Sequence, residues 1–268
     1  MTTSRQGFRT YDGATLRYVD EGSGPPFVIL PGLSSSVAKF SKQVSGLRDR
    51  YRVLALDPRG HGESDAPETG YTYHGLARDL HEFLNHLGLD SIAVLGHSAG
   101  CKIILTYCEI YGTSRLSHVV FSDDAPCCIG DGAFTFSEAE QTLAALSGPD
   151  AVAYTRRFSD MFVTDSMDEF ARHLFYDEML KMPRWAHAKL IRWALFGDWW
   201  DAVKLVDVPT LTIAGRISKN PWQNMQRFHE AIPGSEIAIF EADEGGSHAM
   251  YWENPEKYNS VLDAFLSR

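Results

Sequence analysis

Gly96-His97-Ser98-Ala99-Gly100 carries the clearest chemistry in this 268-residue chain. The five residues fit G-x-S-x-G and stand between an apolar run, "SIAVLGHS", and a helix-like run, "KIILTYCEIYG". Glycine on either side lets the backbone turn sharply where a side chain would clash. Such a turn lifts the Ser98 hydroxyl to the amino end of a helix, where free N–H groups and the helix dipole favour negative charge. A serine hydroxyl is a weak nucleophile, so the chemistry also requires a general base and a group to orient that base.

Ten histidines compete for the role of base. His61 sits in the turn "DPRGHGES", where it is better suited to holding the loop. His74, His81 and His86 lie around an early helix, and His118 begins a strand. His173, His187 and His229 belong to helices, and His97 adjoins the serine but should turn away from it. His248, in "DEGGSHAMYW", follows the last strand in a glycine-rich loop that can carry an imidazole back over Ser98. The order serine then histidine agrees with the motif.

The acid is harder to place. The loop after the penultimate strand, "AGRISKNPWQNMQRFH", contains no Asp or Glu. The strand before it ends in "HVVFSDDAP", where Asp123 closes the apolar run and Asp124 follows. Alternation sends the two side chains in different directions. Asp123, immediately beyond the strand, is the preferred partner for His248, with Asp124 second. Asp243 and Glu244 rank third, being too near His248 along the chain to reach its far nitrogen easily.

A tetrahedral oxyanion needs two preorganised donors. The N–H of Ala99 is one, and the N–H of Leu33, in the turn after "FVILPG", is the other. Pro31 has no N–H to offer, and Gly32 allows close backbone approach. Ser34, Ser35 and Ser36 could add hydroxyl contacts or serve as helix caps. Gly32, Ser34, His97, Trp185 and Trp193 are the candidates for substrate contact, although tryptophans in a helical segment more often pack helix on helix.

The elements that must position these residues can be read from periodicity. "FRTYDGATLRYVDEG" alternates around Asp-Gly as a hairpin does. "PPFVILPG" is a continuous apolar run, the pattern of a strand buried on both faces. Strand and helix then alternate through "YRVLALDPRG", "GLARDLHEFLNHLGL", "SIAVLGHS", "KIILTYCEIYG" and "LSHVVFSDD", which predicts a parallel sheet with helices on both faces. From about residue 126 to 203 only helical patterns occur. Strand patterns return in "VPTLTIAG" and "EIAIFEAD". We therefore expect a core formed by residues 1–125 and 204–268, with residues 126–203 as a helical cap over the carboxyl ends of the strands, where open α/β sheets bind ligands.

Composition narrows the function classes. A formal net charge of −10 argues against nucleic acid as a partner and favours neutral or cationic small molecules. No apolar run approaches the roughly 20 residues of a membrane span, and the start lacks a secretory hydrophobic segment, so a cytosolic protein is expected. The four cysteines, Cys101, Cys108, Cys127 and Cys128, form no Cys-x-x-Cys pair. They read as free thiols, and neither a metal nor a cofactor is expected.

Taken in order, "LPGLSSS", "DPRGHGESDAP", "GHSAG" and "GGSHAMYWENPEKYN" resemble the α/β-hydrolase family over essentially the whole chain. The resemblance implies an eight-stranded, mostly parallel sheet, a helical cap, a Ser98–His248 pair and the two backbone donors. Pro31-Gly32 replaces the commoner His-Gly, and the acid is missing from its usual loop. Some branches place the acid after the strand that precedes the cap, as Asp123 would be. One such branch is the cofactor-free dioxygenases that cleave 3-hydroxy-4-oxoquinolines. Esterases, lactonases and haloperoxidase-like perhydrolases share the same blocks. The leading expectation is hydrolysis of an apolar or aromatic ester or lactone through an acyl-enzyme. The alternative is cofactor-independent oxygenation with His248 and Asp123 as the base, and a non-enzymatic ligand receptor stands third.

Overall fold

The computed structural model describes residues 5–268. Eight strands form one sheet: β1 (Gln6–Arg9), β2 (Thr15–Glu21), β3 (Pro26–Leu30), β4 (Arg52–Leu56), β5 (Ile92–His97), β6 (Leu116–Ser122), β7 (Thr210–Gly215) and β8 (Glu236–Phe240). Their spatial order is β1-β2-β4-β3-β5-β6-β7-β8. β2 pairs antiparallel with β1 and with β4, and the other pairings are parallel. The hairpin predicted around Asp12-Gly13 joins β1 to β2, and Gly13 takes the positive φ of +86° that its turn requires.

Helices cover both faces. α1 (Ser41–Leu47) follows β3, α2 (Tyr73–His86) precedes β5, and α3 (Ala99–Tyr111) follows it. Between β6 and β7 come α4 (Phe136–Ser147), α5 (Ala151–Asp160), α6 (Glu169–Lys181), α7 (Arg184–Phe196) and the single turn α8 (Trp200–Val203). α9 (Trp222–Ala231) joins β7 to β8, and α10 (Met250–Glu253) and α11 (Pro255–Leu266) end the chain.

The central strands separate two apolar cores because successive side chains point to opposite faces. Val28, Leu30 and Val94 pack with α2 and α3 on one side, and Phe27, Ile29 and Leu95 pack toward α1 and α11 on the other. α2 shows why its sequence folds as it does. Thr72 caps its start, accepting from Gly75 N–H at 3.0 Å, and Leu76, Leu80, Phe83 and Leu84 make one buried stripe. It stops at His86, two residues before Gly88, whose φ is +61°. Truncating Leu80 to Ala would cost roughly 2–5 kcal/mol through the cavity it leaves.

The insert between β6 and β7 is tied to the sheet layer at both ends. Near its start, Asp131 accepts from Arg227 Nη1 of α9 at 2.8 Å. Near its end, Trp199 Nε1 donates to Thr106 Oγ1 of α3 at 2.8 Å. The "DPRGHGES" turn is fixed by Arg59, fully buried, which forks onto both carboxylate oxygens of Asp79 at 2.6 and 2.5 Å. All four cysteines are free thiols. Among the described residues no helix is long and apolar enough to cross a membrane.

Candidate active site

β5 runs straight into α3 with no loop between them. Ser98 occupies the junction with φ 52° and ψ −129°, a conformation rarely taken by a side-chain-bearing residue. The glycines around it explain how it is held. A Cβ on Gly96 would lie 2.5 Å from backbone atoms of Gly100, and one on Gly100 would lie 2.4 Å from the carbonyl oxygen of Leu30. A Cβ on Gly32 would come within 2.9 Å of Ser98 Cβ, so the turn after β3 can approach the elbow only as glycine.

Ser98, His248 and Asp124 line one cavity of about 850 Å³, counted to its open mouth, between the strand ends and the insert. Asp123, fully buried, stands behind His248 and receives its Nδ1 at 2.6 Å. That contact directs Nε2 away from Asp123. Among the described residues neither Nε2 nor Ser98 Oγ makes a hydrogen bond, a common condition in ligand-free sites whose catalytic contacts tighten only with substrate present. The His248 ring lies between the ring of His97, centroids 4.6 Å apart, and that of Phe162, 4.7 Å apart.

The loop after β7, which holds no carboxylate of its own, serves Asp123 instead. Gly215 N–H donates to Asp123 Oδ1 at 3.2 Å, and Ser218 Oγ donates to Oδ2. Asn220 Nδ2 donates to the Asp123 carbonyl at 2.7 Å. These donors, with the imidazole, satisfy a carboxylate that would otherwise be buried without partners. Ser218 and Asn220 escaped the sequence reading. The polar run Ser218-Lys219-Asn220 at the place of the expected acid was the available signal.

The neighbouring carboxylate has a different partner. Asp124 forms an ion pair with Lys102 Nζ, and Lys102 also donates to the Ala125 carbonyl at 2.9 Å. Burial works against the Lys102 charge, but Asp124 beside it prevails and raises the ammonium above the usual lysine range. Asp124 is thereby turned from His248 and committed to Lys102. Glu244 pairs with Lys257, away from the imidazole.

Leu33 and Ala99 both line the cavity, and among the described residues neither N–H has a backbone acceptor. Gly32 and His97 also reach the wall. His97, however, places Nε2 2.9 Å from the His248 carbonyl, so it anchors that loop. Burial, reinforced by the nearby His248, pushes its pKa well below the ordinary histidine value, and it is neutral.

Three candidates for substrate contact need correction. Ser34 is buried, gives its hydroxyl to Met182 Sδ at 3.3 Å and does not line the cavity. Trp185 is 41% exposed, meets the buried Tyr71 edge-on at 5.0 Å and does not line the cavity. Trp193, 45% exposed, also faces outward, because α7 turns Ile191, Ala194 and Leu195 inward. The aromatic side chains that the insert gives to the wall are phenylalanines, Phe134, Phe158, Phe162 and Phe175, and Tyr251 joins them from α10.

Lys39 was also missed. It follows the turn after β3, is 4% exposed, and lines the cavity with Nζ 4.6 Å above the ring of Phe175. Burial, only partly offset by Glu178, lowers its pKa to about 7. Nothing in "SSSVAKFSK" separates Lys39 from the more exposed Lys42. Among the described residues no group of three or more His, Cys, Asp or Glu side chains is arranged to ligate a metal ion.

The family model described as "alpha/beta hydrolase fold" matches residues 25–255. The structure superposes on a bromoperoxidase from Bacillus anthracis with a TM-score of 0.93 at 27% identity, covering 99% of this chain and 100% of that one. An esterase from Exiguobacterium antarcticum gives a TM-score of 0.89 at 26% identity, over 99% and 100%. The 3-oxoadipate enol-lactonase 1 of Acinetobacter baylyi is 27% identical over 99% of this chain and 96% of its own length.

Proposed function

The chain belongs to the α/β hydrolase fold family, and from that premise we propose that it cleaves a carboxylic ester or lactone of a small molecule by a Ser98-His248-Asp123 mechanism. The carrying observation is the buried contact of 2.6 Å between His248 Nδ1 and Asp123 Oδ2, at the edge of the cavity that Ser98 enters from its turn. The esterase and lactonase relatives support the same reaction class.

In this reading His248 Nε2 accepts the proton of Ser98 as Oγ attacks the substrate carbonyl. Asp123 holds the imidazole in the tautomer with the proton on Nδ1 and stabilises the imidazolium. The N–H groups of Leu33 and Ala99 receive the oxyanion. His248 returns the proton to the leaving oxygen, and a water activated by the same nitrogen releases the acid. Residues 126–203 act as a cap whose phenylalanines shelter the acyl-enzyme from bulk water. The four free thiols fit a cytosolic setting.

Ser98→Ala tests the reading. Hydrolysis of a panel of 4-nitrophenyl esters and lactones should fall at least about a thousand-fold. A variant that keeps its turnover, or one that still consumes oxygen with a 3-hydroxy-4-oxoquinoline, would overturn the proposal and leave His248 and Asp123 as a base acting without the serine.

A further inference from the structure

The cavity is apolar on the insert side, yet three lysines reach it. Lys102 is cancelled by Asp124. Lys219 is exposed near the mouth, 5.3 Å from the ring of Phe134. Lys39 is different. It is buried, and the one contact its ammonium makes among the described residues is with the ring of Phe175, 4.6 Å away, with no hydrogen bond or ion pair. Glu178 is the nearest acidic influence on it; its Oε1 is held by Lys181 at 2.6 Å, and its buried Oε2 makes no hydrogen bond to Lys39 or to any other described residue. A buried ammonium with only an aromatic face beneath it is costly unless an anion completes it.

We propose that Lys39 is the specificity-determining residue of this site and that the substrate carries a carboxylate, separate from the reacting carbonyl, which pairs with its Nζ. This rests on the hydrolase reading above and names the substrate class within it. Three features support it. Lys39 shares the wall with Ser98 and His248. The 3-10 turn that carries it, Val37–Phe40, is anchored by Val37 N–H on Asp57 at 2.7 Å, so the backbone beneath the lysine is fixed. The surplus cation inside the cavity runs opposite to the overall charge of −10, and a charge so placed selects at the site even though the surface as a whole repels anions. Burial disfavours the ammonium of Lys39, and a carboxylate arriving beside it would favour that charged form.

The test is a matched pair of esters, monoethyl glutarate and ethyl pentanoate, which differ by a carboxylate in place of a methyl group. Wild-type protein should prefer monoethyl glutarate in kcat/KM by about ten-fold or more, the scale of one charge-assisted hydrogen bond in a sheltered site. Lys39→Met should reduce that ratio at least ten-fold, and Lys39→Arg should retain part of it. A wild-type ratio below one, or a ratio unchanged in a folded Lys39→Met protein, would overturn the proposal. If Lys39 served only to balance Glu178, the substitution would lower thermal stability and leave the ratio alone. Calorimetry of glutarate with Ser98→Ala separates this idea from the catalytic one. Glutarate binding to Ser98→Ala that a further Lys39→Met abolishes, when wild-type protein cleaves neither ester, would keep the anion subsite and sink the hydrolase reading. Absence of binding together with absence of preference would sink the subsite.

Discussion

The cavity has two walls of different construction. On the sheet side, Asp123, His97 and His248 stand at a strand end or in the loop beyond one, and buried polar contacts hold them: Asp123 takes three side-chain and backbone donors, His248 Nδ1 being one of them, and His97 meets the His248 carbonyl. On the insert side, the wall is Phe158, Phe162, Phe175, Met179 and Ile191, side chains with no polar atom to orient and several rotamers open to them. Hydrogen bonds have direction and fix atoms to fractions of an ångström, whereas apolar contacts tolerate repacking. The first wall is suited to chemistry and the second to shape.

Asp123 and Asp124 offer the sharpest way to break that comparison. Asp123→Asn should keep the fold and lower kcat about a thousand-fold or more, because an amide no longer holds the correct imidazole tautomer or stabilises its cation; steady-state kinetics on any accepted ester would show it. Asp124→Asn should act mainly on stability. It strands Lys102 as a buried cation, at a cost of about 3–5 kcal/mol in urea unfolding, with kcat of the folded fraction within about ten-fold of wild type.

The seam between the walls should be acid-sensitive. His61, whose ring contacts the Arg59 carbonyl at 2.9 Å, and His187 on α7 are buried, and burial lowers each to about 4. Unfolded, both would take a proton near pH 6.5, while the folded protein refuses it until about pH 4. Stability is therefore full above pH 6.5 and declines as pH falls through that window, by a few kcal/mol in total on the order-of-magnitude scale of such shifts. Thermal midpoints recorded from pH 7 to 4.5 should fall, and His187→Gln should flatten the slope.

Smaller effects should distinguish the insert wall from its outer face. Phe162→Ala removes the ring that lies tilted against His248 and should reduce kcat/KM about ten-fold. Trp185→Ala and Trp193→Ala, on the exposed side of the same helix, should change it less than two-fold and alter stability by under about 0.5 kcal/mol. A large loss at either tryptophan would mean that the insert moves far enough to bring its outer face to the substrate.

Much of this arrangement was legible beforehand. The strand-helix alternation, the helical stretch after Asp124 and the glycines flanking Ser98 all follow from local rules: period, turn geometry and the missing Cβ. Those rules act between neighbours in the chain, so the chain alone displays them. The choice between Asp123 and Asp124 could be argued from alternation, but the partner that occupies Asp124 could not, because Lys102 is one lysine among many until the fold buries it. The same holds for Ser218 and Asn220, which meet Asp123 from nearly a hundred residues away, and for the tryptophans that α7 turns outward.

What the sequence determined by itself is therefore the sheet, the elbow and the kinds of reactive group available to it. Only the tertiary structure decided which carboxylate faces the imidazole, which aromatic rings face the cavity and which lysine lacks a counter-charge. Those outcomes depend on burial and on pairs of side chains far apart in the chain, and neither quantity exists until the chain has folded.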